Sequence, residues 1–323
     1  MDRSNPAGRT AQKMMTPTHV ALAILVAVIW GVAFVVSKVG LQSFTPPELT
    51  ALRFIVASLA AIWLPRPKIP WSILIAIGLT IFTGQFLLQF FGIAYGMPAG
   101  LTAVVSQTQA LLTVLFAAIV IGDKPTVQQL VGLLIALSGL AMIGLTIGGT
   151  ITFLGFALTL ASAVSWAIGN VLVKRLPNVD MLHLMVWASL VPPIPAIMIS
   201  FVIDGPKSLL FALSHASLSG LAAPIYLGVL ASVCAYAIWG SLLRRYSAGS
   251  VAPYALLSPC VGAVISTIVF GEQFGPLRIA GIIAMLLGLA VVAVPRHHFA
   301  SRSRSSRNKS TSEAAQMSSH HRR

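Results

Sequence analysis

Ten almost uninterrupted apolar runs follow one another along this chain, each of roughly 20 residues, the length at which a helix crosses the ~30 Å of bilayer hydrocarbon. They cover residues 19–40, 46–64, 71–94, 100–121, 127–147, 152–173, 181–202, 218–240, 250–270 and 276–294. Hydrocarbon offers no partner to a backbone N–H or C=O, so a crossing chain must be a helix or a closed barrel. The period-2 alternation of a membrane barrel is absent. The expected fold is therefore an all-α membrane protein with ten transmembrane helices. Composition agrees. Hydrophobic residues make up 57% of the 323 positions and charged residues 9%, whereas a soluble protein carries about 25% charged. The first run is too long for a cleaved signal peptide, and further spans follow it.

Charge sets the expected orientation. With the N-terminus in the cytoplasm, the inner loops hold Arg66, Lys68, Lys124, Lys174, Arg175, Arg244 and Arg245, and the outer side holds Lys38, Lys207 and Arg278. Seven against three is the bias of a positive inside, and it leaves both termini cytoplasmic. The net charge of +14 then reads as a topology signal. Nucleic-acid binding would need a basic face on a folded module, and none is present. Residues 1–17 form a cytoplasmic N-terminal tail. Residues 296–323, Ser/Arg-rich and without an apolar face, read as a disordered basic tail that anchors the inner side and has charge to offer lipid headgroups. Cys234 and Cys260 fall inside spans, with no metal-ligand or disulfide spacing. No cofactor or metal is expected.

The chain repeats itself. "VIWGVAFVVSKV" at 28–39 matches "VSWAIGNVLVKR" at 164–175, pairing Trp30 with Trp166 and Lys38 with Lys174 across 136 residues. "GDKPTVQQLVGLLIALSGLAMI" from Gly122 matches "GEQFGPLRIAGIIAMLLGLAVV" from Gly271, an offset of 149 that also aligns Asp123 with Glu272. A longer loop in the second half accounts for the change of offset. Two halves of five spans result, 18–147 and 148–295. Five is odd, so the second half enters the membrane upside down. Lys38 and Lys174 each end a helix, where a cation suits the macrodipole and can snorkel to the interface. Inverted repeats underlie alternating access.

The arrangement and several short motifs resemble the drug/metabolite transporter superfamily and its EamA-type exporters. The carriers are the first-span segment, "ALRF" at 51–54, "YGMPAGL" at 95–101, "SWAIGNVLVK" at 165–174, "IWGSLLRRY" at 238–246 and "VAPYALLSPCVG" at 251–262. The resemblance covers roughly residues 18–295. It implies two EamA repeats, a bacterial inner-membrane location and efflux of small amino-acid metabolites such as cysteine or O-acetylserine. Broader metabolite or drug efflux, uptake, and a non-transporting scaffold are the alternatives. A scaffold has no need of an inverted repeat with polar groups at mid-membrane.

Those polar groups are few. No acid or His lies near a span centre, which argues against an enzyme doing acid–base or metal chemistry in the bilayer. Arg53, seven residues past Pro46, sits about 10 Å deep. It either snorkels outward beside Glu48 or lines a cavity and meets a substrate carboxylate. Helical rise places Gln85, Gln107 and Gln109 at the same depth, about 10–13 Å, with Gln89 one turn above Gln85. Buried amides tie membrane helices together or bind ligands. Trp30 lies near the bilayer centre, with Trp166 as its repeat mate and Asn170 one turn on. Tyr236 ends the eighth span at the inner mouth. These nine residues are the candidate substrate contacts. Gly132, Ala136 and Gly139 form a small-residue face suited to close packing, within the monomer or in a homodimer.

Overall fold

The computed structural model describes residues 15–122, 125–148, 151–176 and 179–293. Most of the N-terminal tail, the C-terminal tail, Asp123 and Lys124 lie outside these residues. The chain divides into two units after Val292, and the first of them holds the helical bundle. In chain order the helices are α1 (Pro17–Gly40), α2 (Pro46–Ser58), α3 (Trp71–Ile77), α4 (Gln85–Ala94), α5 (Ala99–Val105), α6 (Thr108–Ile121), α7 (Val127–Gly144), α8 (Phe153–Lys174), α9 (Met181–Ala188), α10 (Pro193–Ile203), α11 (Ser208–His215), α12 (Leu218–Ile225), α13 (Ala235–Arg245), α14 (Ala248–Ala255), α15 (Leu257–Phe270) and α16 (Pro276–Ala293). Among the described residues the extended pairing is confined to one isolated bridge, Gly148 with Ile151.

Nine of the ten expected spans appear as helices long and apolar enough to cross a membrane, among the described residues. The tenth is shorter. Residues expected to run from 46 to 64 form α2, 13 residues long, and a four-residue 3-10 turn, Leu59–Ile62. Both ends of this piece are nevertheless anchored beside the α9–α10 span. Thr45 Oγ1, just before α2, donates to Asp204 Oδ2 at 2.8 Å, just past α10. Leu64 O, just past the turn, accepts from Trp187 Nε1 at 2.9 Å, on α9.

Several expected spans are interrupted. A π-helical segment, Gly78–Gly84, joins α3 to α4, and another, Tyr226–Cys234, joins α12 to α13. The hydroxyls of Thr83 and Ser232 each bond the carbonyl five residues back, Gly78 O at 3.1 Å and Leu227 O at 2.9 Å. These residues are repeat mates at the 149 offset, so the wider turn is written twice. Pro224 adds to the second by removing a backbone donor just ahead of it. Residues 189–192, ending in Pro192, separate α9 from α10, which opens on Pro193.

The duplication is plain in the helix bounds. α6 and α15 have 14 residues each, α7 and α16 have 18, and both pairs are shifted by 149. Gly122 and Gly271 end α6 and α15 in the left-handed region, with φ of 75° and 65°, which glycine adopts without penalty. The small-residue face of α7 is used inside the monomer. A Cβ placed on Gly139 would stand 2.5 Å from Gly281 O and from Met285 N. Gly132, Ala136 and Gly139 are buried, so this face supplies no surface for a homodimer.

Lys38 lies in the last turn of α1, as expected, and it has partners there: it is 2.9 Å from Glu272 Oε1 and 4.3 Å from the centre of the Phe270 ring. Burial raises the Glu272 carboxyl, but hydrogen bonds from Ser266, Lys38 and Gly100, with the Lys38 charge, outweigh it and hold the group below the usual carboxylate range.

Candidate functional site

The broken spans enclose a cavity of about 340 Å³. Its polar side is set by α2. Arg53 is 4% exposed, so it does not snorkel. Its guanidinium carbon lies over Phe86, 3.8 Å from the ring centre, and Nη2 donates to Ser232 Oγ at 3.2 Å. Glu48 is not its partner. That carboxylate is buried among its own contacts, accepting from Thr45 N at 2.9 Å in a capping box and from Ser208 Oγ at 2.7 Å.

Gln85 opens α4 directly after the π segment and donates from Nε2 to Gln89 Oε1 at 3.0 Å, one turn on. Both are buried, at 5% and 3% exposed. Ser106 and Gln107 occupy the break between α5 and α6, and Gln109 follows in the first turn of α6. On α8, Asn170 donates from Nδ2 to Thr113 Oγ1 at 3.3 Å, and Trp166 stands one turn before it. Part of the lining is aromatic. Trp30 donates to Ala231 O at 3.1 Å, and its ring lies 5.7 Å from Tyr236 and 5.2 Å from Trp239.

All nine residues singled out from the sequence thus line one cavity: Trp30, Arg53, Gln85, Gln89, Gln107, Gln109, Trp166, Asn170 and Tyr236. Arg53 carries the one formal charge among its described lining residues. The cavity continues to Met181, Gly240 and Leu243, toward the end of the bundle that carries the Arg244–Asp180 pair. Among the described residues no group of three His, Cys, Asp or Glu could hold a metal.

Four buried polar atoms on these lining residues have no hydrogen-bond partner: Arg53 Nε, Ser106 Oγ, Gln85 Oε1 and Gln109 Oε1. They are one donor, one hydroxyl and two acceptors, each on a residue that lines the cavity. Such atoms carry a penalty of about 1–3 kcal/mol each until something bonds them.

The family model for EamA-like transporters matches residues 18–145 and again 153–294. The chain belongs to the EamA-like transporter family. The two matches fall on the two repeated halves, so the internal duplication is the family's own unit written twice. This EamA chain is 38% identical over 277 residues to a probable amino-acid metabolite efflux pump of Salmonella typhimurium, covering 84% of this chain and 93% of the relative. A probable terminal-alkyne amino-acid exporter of Streptantibioticus cattleyicolor is 28% identical, with 80% and 87% covered. A solved crystal structure superposes with a TM-score of 0.59 at 17% identity, covering 86% of this chain and 96% of its own, which shows the fold alone. Family membership and the nine apolar spans among the described residues make this a multi-pass membrane transporter rather than an enzyme.

Three contributors to the EamA site escaped the sequence reading. Phe86 is the platform under Arg53, Ser232 is its hydroxyl partner, and Ser106 supplies one of the unpartnered atoms. A usable signal existed for Ser232 alone, since the 149 offset pairs it with Thr83.

Proposed function

We propose that this protein exports a small zwitterionic amino-acid metabolite, of the cysteine or O-acetylserine kind, across the bacterial inner membrane by alternating access. The observation that carries this is the set of four unpartnered polar atoms on residues that line one cavity. A carboxylate accepts from Arg53 Nε and the Ser106 hydroxyl. An ammonium donates to Gln85 Oε1 and Gln109 Oε1. Neutral amide oxygens suffice for the ammonium, because the substrate's own carboxylate already balances Arg53. The aromatic wall of Trp30, Tyr236 and Trp239 takes a short, weakly polar side chain. A cavity of about 340 Å³ is at the small end of the roughly 300–1,000 Å³ range of ligand pockets. The Salmonella and Streptantibioticus relatives, both named for handling amino acids or their metabolites outward, support the same class.

Alternating access draws on the repeat and on the broken helices around the cavity. We take the α2 piece as the tenth span, since its two ends hydrogen-bond to Asp204, just past α10, and to Trp187, on α9. Ten spans in two odd halves give the inverted arrangement, and the Lys/Arg bias puts both termini in the cytoplasm.

Affinity of the purified protein for cysteine, cysteamine and N-acetylcysteine tests the pairing of charges. Loss of the carboxylate in cysteamine, or of the ammonium in N-acetylcysteine, should weaken binding roughly tenfold or more, the value of a charge-assisted hydrogen bond. Equal affinity for all three would mean that the cavity does not read a zwitterion.

A further inference from the structure

The hydroxyl that meets Arg53 has its own direction fixed by the wide turn it sits in. Ser232 Oγ donates its single proton to Leu227 O at 2.9 Å, five residues back in the Tyr226–Cys234 segment. What it has left to offer is lone pairs, and Arg53 Nη2 donates to them at 3.2 Å. Ser232 is 5% exposed and is not among the described lining residues, so it acts on a ligand in the cavity through Arg53. The same segment meets the backbone of the arginine: a Cβ on Gly228 would stand 2.7 Å from Arg53 O and from Val56 Cβ. Main chain and guanidinium of one residue are thus both held against one π-helical segment, and the Phe86 ring lies 3.8 Å from the guanidinium carbon.

A guanidinium grips a carboxylate with two N–H groups in its own plane, so the orientation of that plane decides whether a carboxylate is gripped. Nε of Arg53 is buried without a partner. Ser232, its proton already committed, cannot donate to a carboxylate; it can only aim the group that does.

We infer that Ser232 is the positioning residue of the carboxylate site: by turning its proton to Leu227 O it presents Arg53 with an acceptor in one fixed direction, and so sets the plane in which the guanidinium meets the ligand's carboxylate. The inference rests on the zwitterionic substrate proposed above and adds the residue that makes the carboxylate count. The repeat supplies a control. Thr83, the mate of Ser232, makes the same bond across the other wide turn, to Gly78 O at 3.1 Å. It is 7% exposed, and it is likewise not among the described lining residues.

The readout is the ratio of affinities of the purified protein for cysteine and for cysteamine, which lacks the carboxylate. Ser232→Ala should weaken cysteine roughly fivefold, the worth of one net hydrogen bond, and leave cysteamine within about twofold of the wild type. Thr83→Ala loses a comparable bond in the other turn and should keep the wild-type ratio. Ser232→Cys, near in size but with a weakly accepting sulfur, should move the ratio in the same direction as Ser232→Ala, and it carries the experiment if Ser232→Ala fails to accumulate. Equal weakening of both ligands in the Ser232 variants would make the hydroxyl a purely structural tie and overturn the inference. So would a Thr83→Ala protein whose ratio falls as far. A wild type that discriminates, with Ser232 variants that discriminate as well, overturns this inference alone; a wild type that binds both ligands equally overturns the zwitterion reading and the inference with it.

Discussion

Arg53→Ala should insert and accumulate as well as the wild type yet transport roughly a hundredfold more slowly, the loss expected from about 3 kcal/mol of charge-assisted hydrogen bonding. Insertion cannot explain the loss, because an arginine at mid-span costs about 2.5–3.5 kcal/mol on insertion scales and alanine removes that cost. Arg53→Lys should keep only part of the activity. Lysine retains a charge, but it lacks the planar group that lies 3.8 Å over Phe86 while presenting donors edge-on to Ser232 and the cavity. Gln109→Leu should cost less, about 1.5 kcal/mol or some tenfold, as one of the two hydrogen bonds from the ammonium is lost while Gln85 keeps the other. Initial rates at equal amounts of reconstituted protein decide the order. Full activity in Arg53→Ala would reduce the guanidinium to a structural tie between α2 and the Tyr226–Cys234 segment.

The second large effect is on folding. Gly288→Ala should strip the protein of its stable folded state, although alanine is the better helix former by about 1 kcal/mol. A Cβ at 288 would stand 2.4 Å from Ala136 N and 2.5 Å from Gly132 O. Those are backbone atoms of α7, and they cannot turn aside as a side chain can. The cost should exceed the roughly 1–3 kcal/mol usual for an overpacked core, because α7 and α16 would have to part. Gly275→Ala is the control: a Cβ there meets nothing within 4 Å, and its melting temperature in detergent should match the wild type. A Gly288→Ala protein that melts with the wild type would show that the α7–α16 contact is not close-packed.

Depth along a helix is a strong predictor when every span is anchored at both membrane faces. That is why simple rise per residue gathers Arg53, Gln85, Gln107 and Gln109 around one cavity. Periodicity carries no such information about turn width. The π segments Gly78–Gly84 and Tyr226–Cys234 look like ordinary apolar helix in sequence, and what distinguishes them is a hydroxyl bonding five residues back. Charge pairing is harder still to read. Lys38 and Glu272 are 234 positions apart, so a linear reading does not pair them. The fate of Glu48 was nearer to hand. Thr45 followed three residues later by Glu48 is a capping-box pattern, and a glutamate engaged in its own cap is a poor partner for Arg53. The same local commitments shorten α2, which carries two charges and two leading prolines, below the length of a full apolar span.

Uptake of radiolabelled amino acids into inverted inner-membrane vesicles tests the central claim most directly, because export from the cell becomes accumulation in the vesicle. Vesicles holding the wild-type protein should accumulate cysteine or O-acetylserine saturably. Unlabelled zwitterionic competitors should inhibit, cysteamine should not, and Arg53→Ala vesicles should stay close to the protein-free background. Accumulation no greater than background across the whole amino-acid panel, or accumulation that Arg53→Ala leaves intact, would contradict the account.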